Sequence, residues 1–207
     1  MTNDYKIFFG NRCIVITNNL KRNFLDYAGY YVGFDANTDT ANLLQFFQNL
    51  KSLSSLYVIG ENTNIIFNEF AKHFTIVKAA GGLVQNGNEN FLMIKRNGLW
   101  DLPKGKVERD ENVEQAAVRE VIEECGLNEI MLEKHLLNTY HTYELNGKSI
   151  LKKTSWYQMK SHSSGDLKPQ VEENITEVCW VNKADVGKHI KNTYSSIVEV
   201  LKASGLV

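Results

Sequence analysis

The chain reads as an α/β protein, with a mixed sheet and flanking helices over residues 74–207 and a small α/β unit ahead of them over residues 1–73. Three observations predict this. Apolar runs rich in β-branched and aromatic residues are joined by Asn-Gly pairs at 86–87 and 146–147, the strongest short-range hairpin signal. A helical segment with end signals runs from Asn112 to Gly126. A tail then repeats Ile190, Tyr194, Ile197, Val198 and Leu201 at helical intervals. With 207 residues, 43% hydrophobic and 23% charged, the chain has enough length for one large or two small cores.

In the first block, Tyr5 to Phe9 and Arg12 to Thr17 flank Gly10-Asn11 as a hairpin. A helix from Asp39 to Leu50, a strand at Leu56 to Ile59 and a helix around Thr63 to His73 complete it. The second block opens with a strand over 75–84 and another over Phe91 to Arg96. Pro103 then favours an extended approach to Gly105, and the capped helix follows. Beyond it come a strand from Ile130 to Tyr140 and two β-rich arms from Tyr140 to Lys160 around Asn146-Gly147. A polar segment from Ser161 to Lys168, a strand from Glu177 to Val181 and the helical tail close the chain.

The capped helix carries the chemistry. Asn112 is suited to accept backbone N–H bonds at its start, and Gly126 to take the left-handed position after its end. At 3.6 residues per turn, Glu120, Glu123 and Glu124 converge on one face, while Val113, Ala116, Ala117 and Val121 supply the packed side. Carboxylates held this close favour a divalent cation, and Mg²⁺ takes carboxylate oxygens while completing its octahedron with water and substrate phosphates. The plain alternative is a solvated helix whose Glu residues pair with Arg119 and with lysines.

The surrounding residues favour the first reading. Gly105, Glu111, Arg119, Glu120, Val121, Glu123, Glu124, Gly126 and Leu127 stand at the spacing Gly-x5-Glu-x7-Arg-Glu-U-x-Glu-Glu-x-Gly-U, with U a bulky aliphatic residue. In this the chain resembles the Nudix hydrolases. The resemblance implies an α/β/α sandwich and one or more Mg²⁺ or Mn²⁺ ions held by Glu120, Glu123 and Glu124, with a backbone carbonyl near Lys104 or Gly105. It implies a supporting ion pair between Glu111 and Arg119. The implied reaction is attack of water on phosphorus in a diphosphate bearing a further group, with the proton taken by Glu120 or by a downstream carboxylate. Glu172 and Glu173 are the downstream candidates, and Glu173 enters the catalytic set; as a pair they read equally well as a charged loop ahead of a strand.

The stretch Trp100 to Glu108 resembles the branch that acts on diadenosine polyphosphates and diphosphoinositol polyphosphates. This makes a dinucleoside polyphosphate or related nucleotide the expected small-molecule substrate, with diphosphoinositol polyphosphate or ADP-ribose as alternatives. Lys104 and Lys106 would place cations beside the phosphate path. Tyr143 stands near where dinucleoside polyphosphate hydrolases carry a Tyr for adenine, although a Tyr in a hairpin is more often a cross-strand packing residue than a ligand contact. An alternative of another class is a ligand sensor of the same fold with a partner-binding first block. The complete carboxylate set argues instead for catalysis.

The formal net charge of −1 gives no global electrostatic reason to bind nucleic acid or an anionic membrane. Cys13, Cys125 and Cys179 lie beside apolar residues without metal-type spacing, as reduced thiols in the cytoplasm would. The opening residues lack a signal-peptide pattern, and no apolar run reaches membrane-spanning length. The first block carries no motif of its own. Below about 80 residues a core is marginal, so it is expected to pack on the second domain or on another subunit of a homodimer, covering the cleft or shaping substrate choice.

Overall fold

A computed structural model describes residues 4–19, 29–162 and 166–207. Residues 163–165 of the expected polar segment lie outside these. The chain divides into two compact units, Met1–Val77 with Tyr140–Lys152, and Lys78–Thr139 with Lys153–Val207. The first unit runs past residue 74 to Val77 and also takes in the tip of the long hairpin.

In the first unit, β1 (Tyr5–Phe9) and β2 (Arg12–Thr17) form the expected antiparallel hairpin, with Gly10 at a φ of 63° in the turn. A strand absent from the sequence reading, β3 (Tyr30–Gly33), pairs in parallel with β4 (Ser55–Ile59), which in turn lies parallel to β2. Helices α1 (Thr40–Asn49) and α2 (Thr63–Ala71) begin where Asp39 and Asn62 accept backbone N–H bonds, satisfying donors that the first helical turn leaves free. Their Leu44, Phe47, Ile66 and Phe70 are buried against Ile7, Ile14, Ile16, Leu56 and Val58. Arg12 reaches the carbonyl oxygens of Phe47 and Leu50 at 2.7 and 3.1 Å, closing the end of α1. Tyr140 and Leu151 of the hairpin tip join this core, and Ile7 pairs with Tyr140 across a parallel contact.

In the second unit, β5 (Thr75–Asn86) leads by a short loop to β6 (Phe91–Arg96). The Asn86 side chain accepts from the N–H groups of Asn88 and Asn90, each at 3.0 Å. The left-handed residue of that loop is Glu89, at a φ of 60°, so Asn86-Gly87 does not form a two-residue turn. Asn146-Gly147 does: both residues have positive φ, 51° and 72°, between β9 (Met131–Leu145) and β10 (Lys148–Ser161). Short strands β7 (Leu99–Asp101) and β8 (Lys104–Lys106) pair with β6 and β5. Strand β11 (Ile175–Val181) pairs antiparallel with β6.

Helix α3 (Val113–Cys125) buries Ala116, Ala117 and Val121 completely against Ala80, Val84, Leu92 and Ile94. The small alanines let it lie close to the sheet. The tail is not one helix. It splits into α4 (Lys183–His189), a single 3₁₀ turn and α5 (Ser195–Ala203), because Thr193 is extended and its hydroxyl donates to the Trp100 carbonyl at 2.6 Å. Trp100 itself packs edge-on against His189, with ring centroids 4.5 Å apart. Among the described residues no helix is long and apolar enough to cross a membrane, and none of Cys13, Cys125 and Cys179 is in a disulfide.

Candidate active site

The site is built on β8, α3 and the turn before β11, all within the second unit. Asn112 caps α3 reciprocally with Gln115: the Asn112 side chain accepts from the Gln115 N–H at 2.8 Å, and the Gln115 side chain from the Asn112 N–H at 3.0 Å. At the other end Gly126 takes a φ of 70°, as expected of the residue after a helix. With both ends defined, the carboxylates have fixed azimuths around the helix.

Glu124 points inward and is 1% exposed. Its Oε1 accepts from Arg96 Nη1 at 3.0 Å and its Oε2 from the Lys104 backbone N–H at 2.8 Å. Burial pushes its carboxyl up to about 7, against the opposing pull of the Lys104 and Arg96 charges. Glu120 lies against the Cα of Gly105, so closely that a Cβ there would overlap the carboxylate. Burial raises its pKa as well, while Arg119 pulls it back. Strand β8 sets this contact by pairing Ala80 with Gly105.

Arg119 ties the loop to the helix. Its Nε donates to Glu111 Oε2 at 3.0 Å, and its Nη1 to Glu120 Oε1 and Glu123 Oε2 at 2.9 and 2.8 Å. Its Nη2 reaches Glu111 Oε1 and the Lys106 carbonyl. The hydrogen bonds from Arg119 hold the Glu111 carboxyl below its ordinary range, and those to Glu111 hold the guanidinium protonated.

The structure thus brings Glu111, Arg119, Glu120, Glu123 and Glu124 together with Gly105. Glu173, on a 3₁₀ turn (Val171–Glu173), joins them through Arg96 Nη2 at 2.5 Å, and its negative charge bears on Glu120. Lys106 is exposed at the loop. Lys104 is placed otherwise than a phosphate-facing lysine: its side chain is buried and its Nζ lies 2.8 Å from Asp101 Oδ2. That contact is an ion pair without hydrogen-bond alignment, so the ammonium has no hydrogen-bond partner. Tyr143 belongs to the first unit, where its ring centroid lies 5.8 Å from that of His141.

Arg96 and Asp101 were not legible as site residues, since each sits on a short strand and finds its partner only through the fold. The donor set of hard carboxylate oxygens, two of them on groups whose burial is incompletely offset by cations, fits Mg²⁺. The side chains are not yet arranged as a cage: among the described residues no three acidic, His or Cys groups stand in metal-holding geometry. Arg119 takes one oxygen each of Glu120 and Glu123.

The NUDIX domain family model matches residues 75–202. The chain belongs to the Nudix family. A Bacillus subtilis (strain 168) protein named "Putative 8-oxo-dGTP diphosphatase" is 44% identical over 54 residues, 25% of this chain and 36% of that protein. A Mycobacterium tuberculosis (strain CDC 1551 / Oshkosh) protein named "Putative mutator protein MutT4" is 33% identical over 114 residues, 50% of this chain and 45% of that one. The matches therefore span less than half the length of these curated relatives. Among solved structures, a C. elegans Ap4A hydrolase binary complex superposes with a TM-score of 0.50 at 24% identity, covering 62% of this chain and 95% of that one. This last likeness speaks for the Nudix fold alone. The sequence segment 105–127 that carried the resemblance is the β8–α3 region described above.

Proposed function

We propose that this Nudix protein is a Mg²⁺-dependent pyrophosphohydrolase that cleaves a nucleoside diphosphate linked to another moiety, with dinucleoside polyphosphates as the preferred substrate class. The observation that carries the reading is the gathering of Glu120, Glu123, Glu124 and Glu173 around two guanidinium groups, with the inner two carboxyls held up in pKa by burial. Such a set is underneutralised, and a hard cation with a polyphosphate completes it. The name of one curated relative, a diphosphatase of a nucleotide, agrees with a nucleotide anhydride as substrate.

Glu120, Glu123 and Glu124, with a backbone carbonyl of Lys104 or Gly105, would hold Mg²⁺, or Mn²⁺ in its place. When bound, such an ion neutralises the diphosphate and lowers the pKa of water. The protein's own groups do the rest. Arg119 keeps Glu120 and Glu123 on the open side of α3, while the Lys104 N–H and Arg96 fix the buried Glu124. The exposed Lys106 offers a mobile cation to phosphate oxygens. Attack by water needs a carboxylate to take its proton. Glu173, about half exposed, is the accessible group for this, with Glu120 as the second candidate.

The test is release of phosphate or nucleotide from a panel of dinucleoside polyphosphates, nucleoside triphosphates, ADP-ribose and diphosphoinositol polyphosphates, run beside Glu124→Gln. Metal-dependent turnover of a dinucleoside polyphosphate, lost in the variant, is the expected result. Preference for ADP-ribose or for an inositol diphosphate would move the substrate class and keep the chemistry. Silence across the panel from folded protein would overturn the enzyme reading in favour of a ligand sensor.

A further inference from the structure

We propose that Arg96 is a positioning residue that holds Glu173 over the carboxylate face of α3. The proposal rests on the hydrolase reading and extends it to a residue on β6 that reaches two carboxylates at once.

Arg96 ends β6, opposite Ile175 of β11. Its two terminal nitrogens serve two different carboxylates: Nη1 lies 3.0 Å from Glu124 Oε1 and Nη2 lies 2.5 Å from Glu173 Oε2. One of these partners is rigid and the other is not. Glu124 is buried in the core side of α3, whereas Glu173 is 49% exposed on a single 3₁₀ turn. A planar guanidinium clamped to the first therefore dictates where the second can sit.

The backbone around the turn supports this division of labour. Lys168 and Gln170 donate their N–H groups to the Cys125 and Glu124 carbonyls at 2.9 and 3.2 Å, which ties the incoming segment to the end of α3. The Asn97 N–H reaches the Asn174 carbonyl at 3.2 Å, and Asn174 takes a φ of 59°. The pairing register then shifts between Ile175 and Glu177, a bulge of the kind that re-aims side chains beside active sites. These contacts fix the segments entering and leaving the turn by main chain, and Arg96 fixes the carboxylate of its last residue.

A lysine at this position keeps the charge but presents one nitrogen, which cannot serve two carboxylates from separate atoms in a fixed plane. The experiment compares Arg96→Lys, Glu173→Gln and the double variant, reading kcat and KM with Mg²⁺ on a dinucleoside polyphosphate, and amide hydrogen exchange across residues 171–174. Arg96→Lys is expected to lower kcat on the order of 100-fold, the usual cost of an ångström-scale misplacement, with KM nearly unchanged. The double variant is expected to be no slower than Glu173→Gln, and exchange in the turn is expected to quicken while the rest of the unit stays protected. Multiplying losses in the double variant, full kcat in Arg96→Lys, or unchanged exchange in the turn would each overturn the proposal. If the parent hydrolyses nothing, the hydrolase reading falls by itself, and the exchange comparison still decides whether Arg96 holds the turn.

Discussion

Gly105→Ala isolates the demand that the Glu120 carboxylate places on its surroundings. The backbone at Gly105 lies outside the left-handed region, so alanine can adopt it without conformational penalty, and the only obstacle is space. An added Cβ overlaps all three terminal atoms of Glu120. The pairing of Gly105 with Ala80 holds the strand, so the carboxylate must retreat by on the order of 1 Å and loosen its 2.9 Å bond to Arg119. A misplacement of that size at a reacting group costs about 100-fold in rate, or about 2.7 kcal/mol of activation free energy. The displaced atoms are the end of a flexible side chain, so folding stability should change by less than about 1 kcal/mol and Tm by no more than about 4 °C. Steady-state kinetics beside a thermal melt separate the two effects. Gly105→Ala combined with Glu120→Gln should be no slower than Glu120→Gln alone. A Gly105→Ala enzyme within about threefold of the parent, or a double variant whose losses multiply, would refute the reasoning.

Gly81→Ala predicts the opposite division. Its Cβ would meet the Pro103 carbonyl oxygen and Lys104 main chain, with the Lys104 Cα at 2.9 Å; because backbone cannot yield cheaply, a melt should show about 1–3 kcal/mol of lost stability. Glu111→Gln removes the charge that orders Arg119, and turnover should fall while the secondary structure seen by circular dichroism is retained; unchanged turnover would deny Glu111 a supporting role. A pH series of melts with and without Mg²⁺ reports on Glu124. Burial holds its carboxyl at about 7 against an ordinary 4.5, so the folded state keeps a proton that the unfolded chain releases. Its contribution to stability is therefore full below 4.5 and is lost as pH rises through about 7. Mg²⁺ needs the ionised carboxylates and should raise Tm more at about pH 8 than at about pH 5.5; an equal rise at both would contradict the assignment.

Much of this site was legible because its signals are local. The cap at Asn112, the left-handed Gly126, the small residues on the packed side and the three carboxylates at helical spacing all lie within α3 and its borders. Glu124 is buried, although it shares a helix face with Glu120 and Glu123, and its burial depends on the distant Arg96 and on the β8 backbone. Arg96 finds its partners 28 and 77 residues away, and no periodicity announces such pairs. The tip of the long hairpin likewise joins the first unit through a pairing of Tyr140 with Ile7, which local pattern does not record. In the tail, helical spacing was real on both sides of Thr193, but its hydrogen bond to Trp100 interrupts the helix.

The central claim is that the carboxylate face of α3 makes this protein a cation-dependent pyrophosphohydrolase. Its most direct test is a Mg²⁺ titration of turnover on a dinucleoside polyphosphate by the parent and by Glu123→Gln, with a chelator control. Saturable dependence on Mg²⁺ is expected in the parent, with a loss of orders of magnitude in the variant at full folding. Turnover indifferent to the chelator, or near-parental turnover in Glu123→Gln, would contradict it.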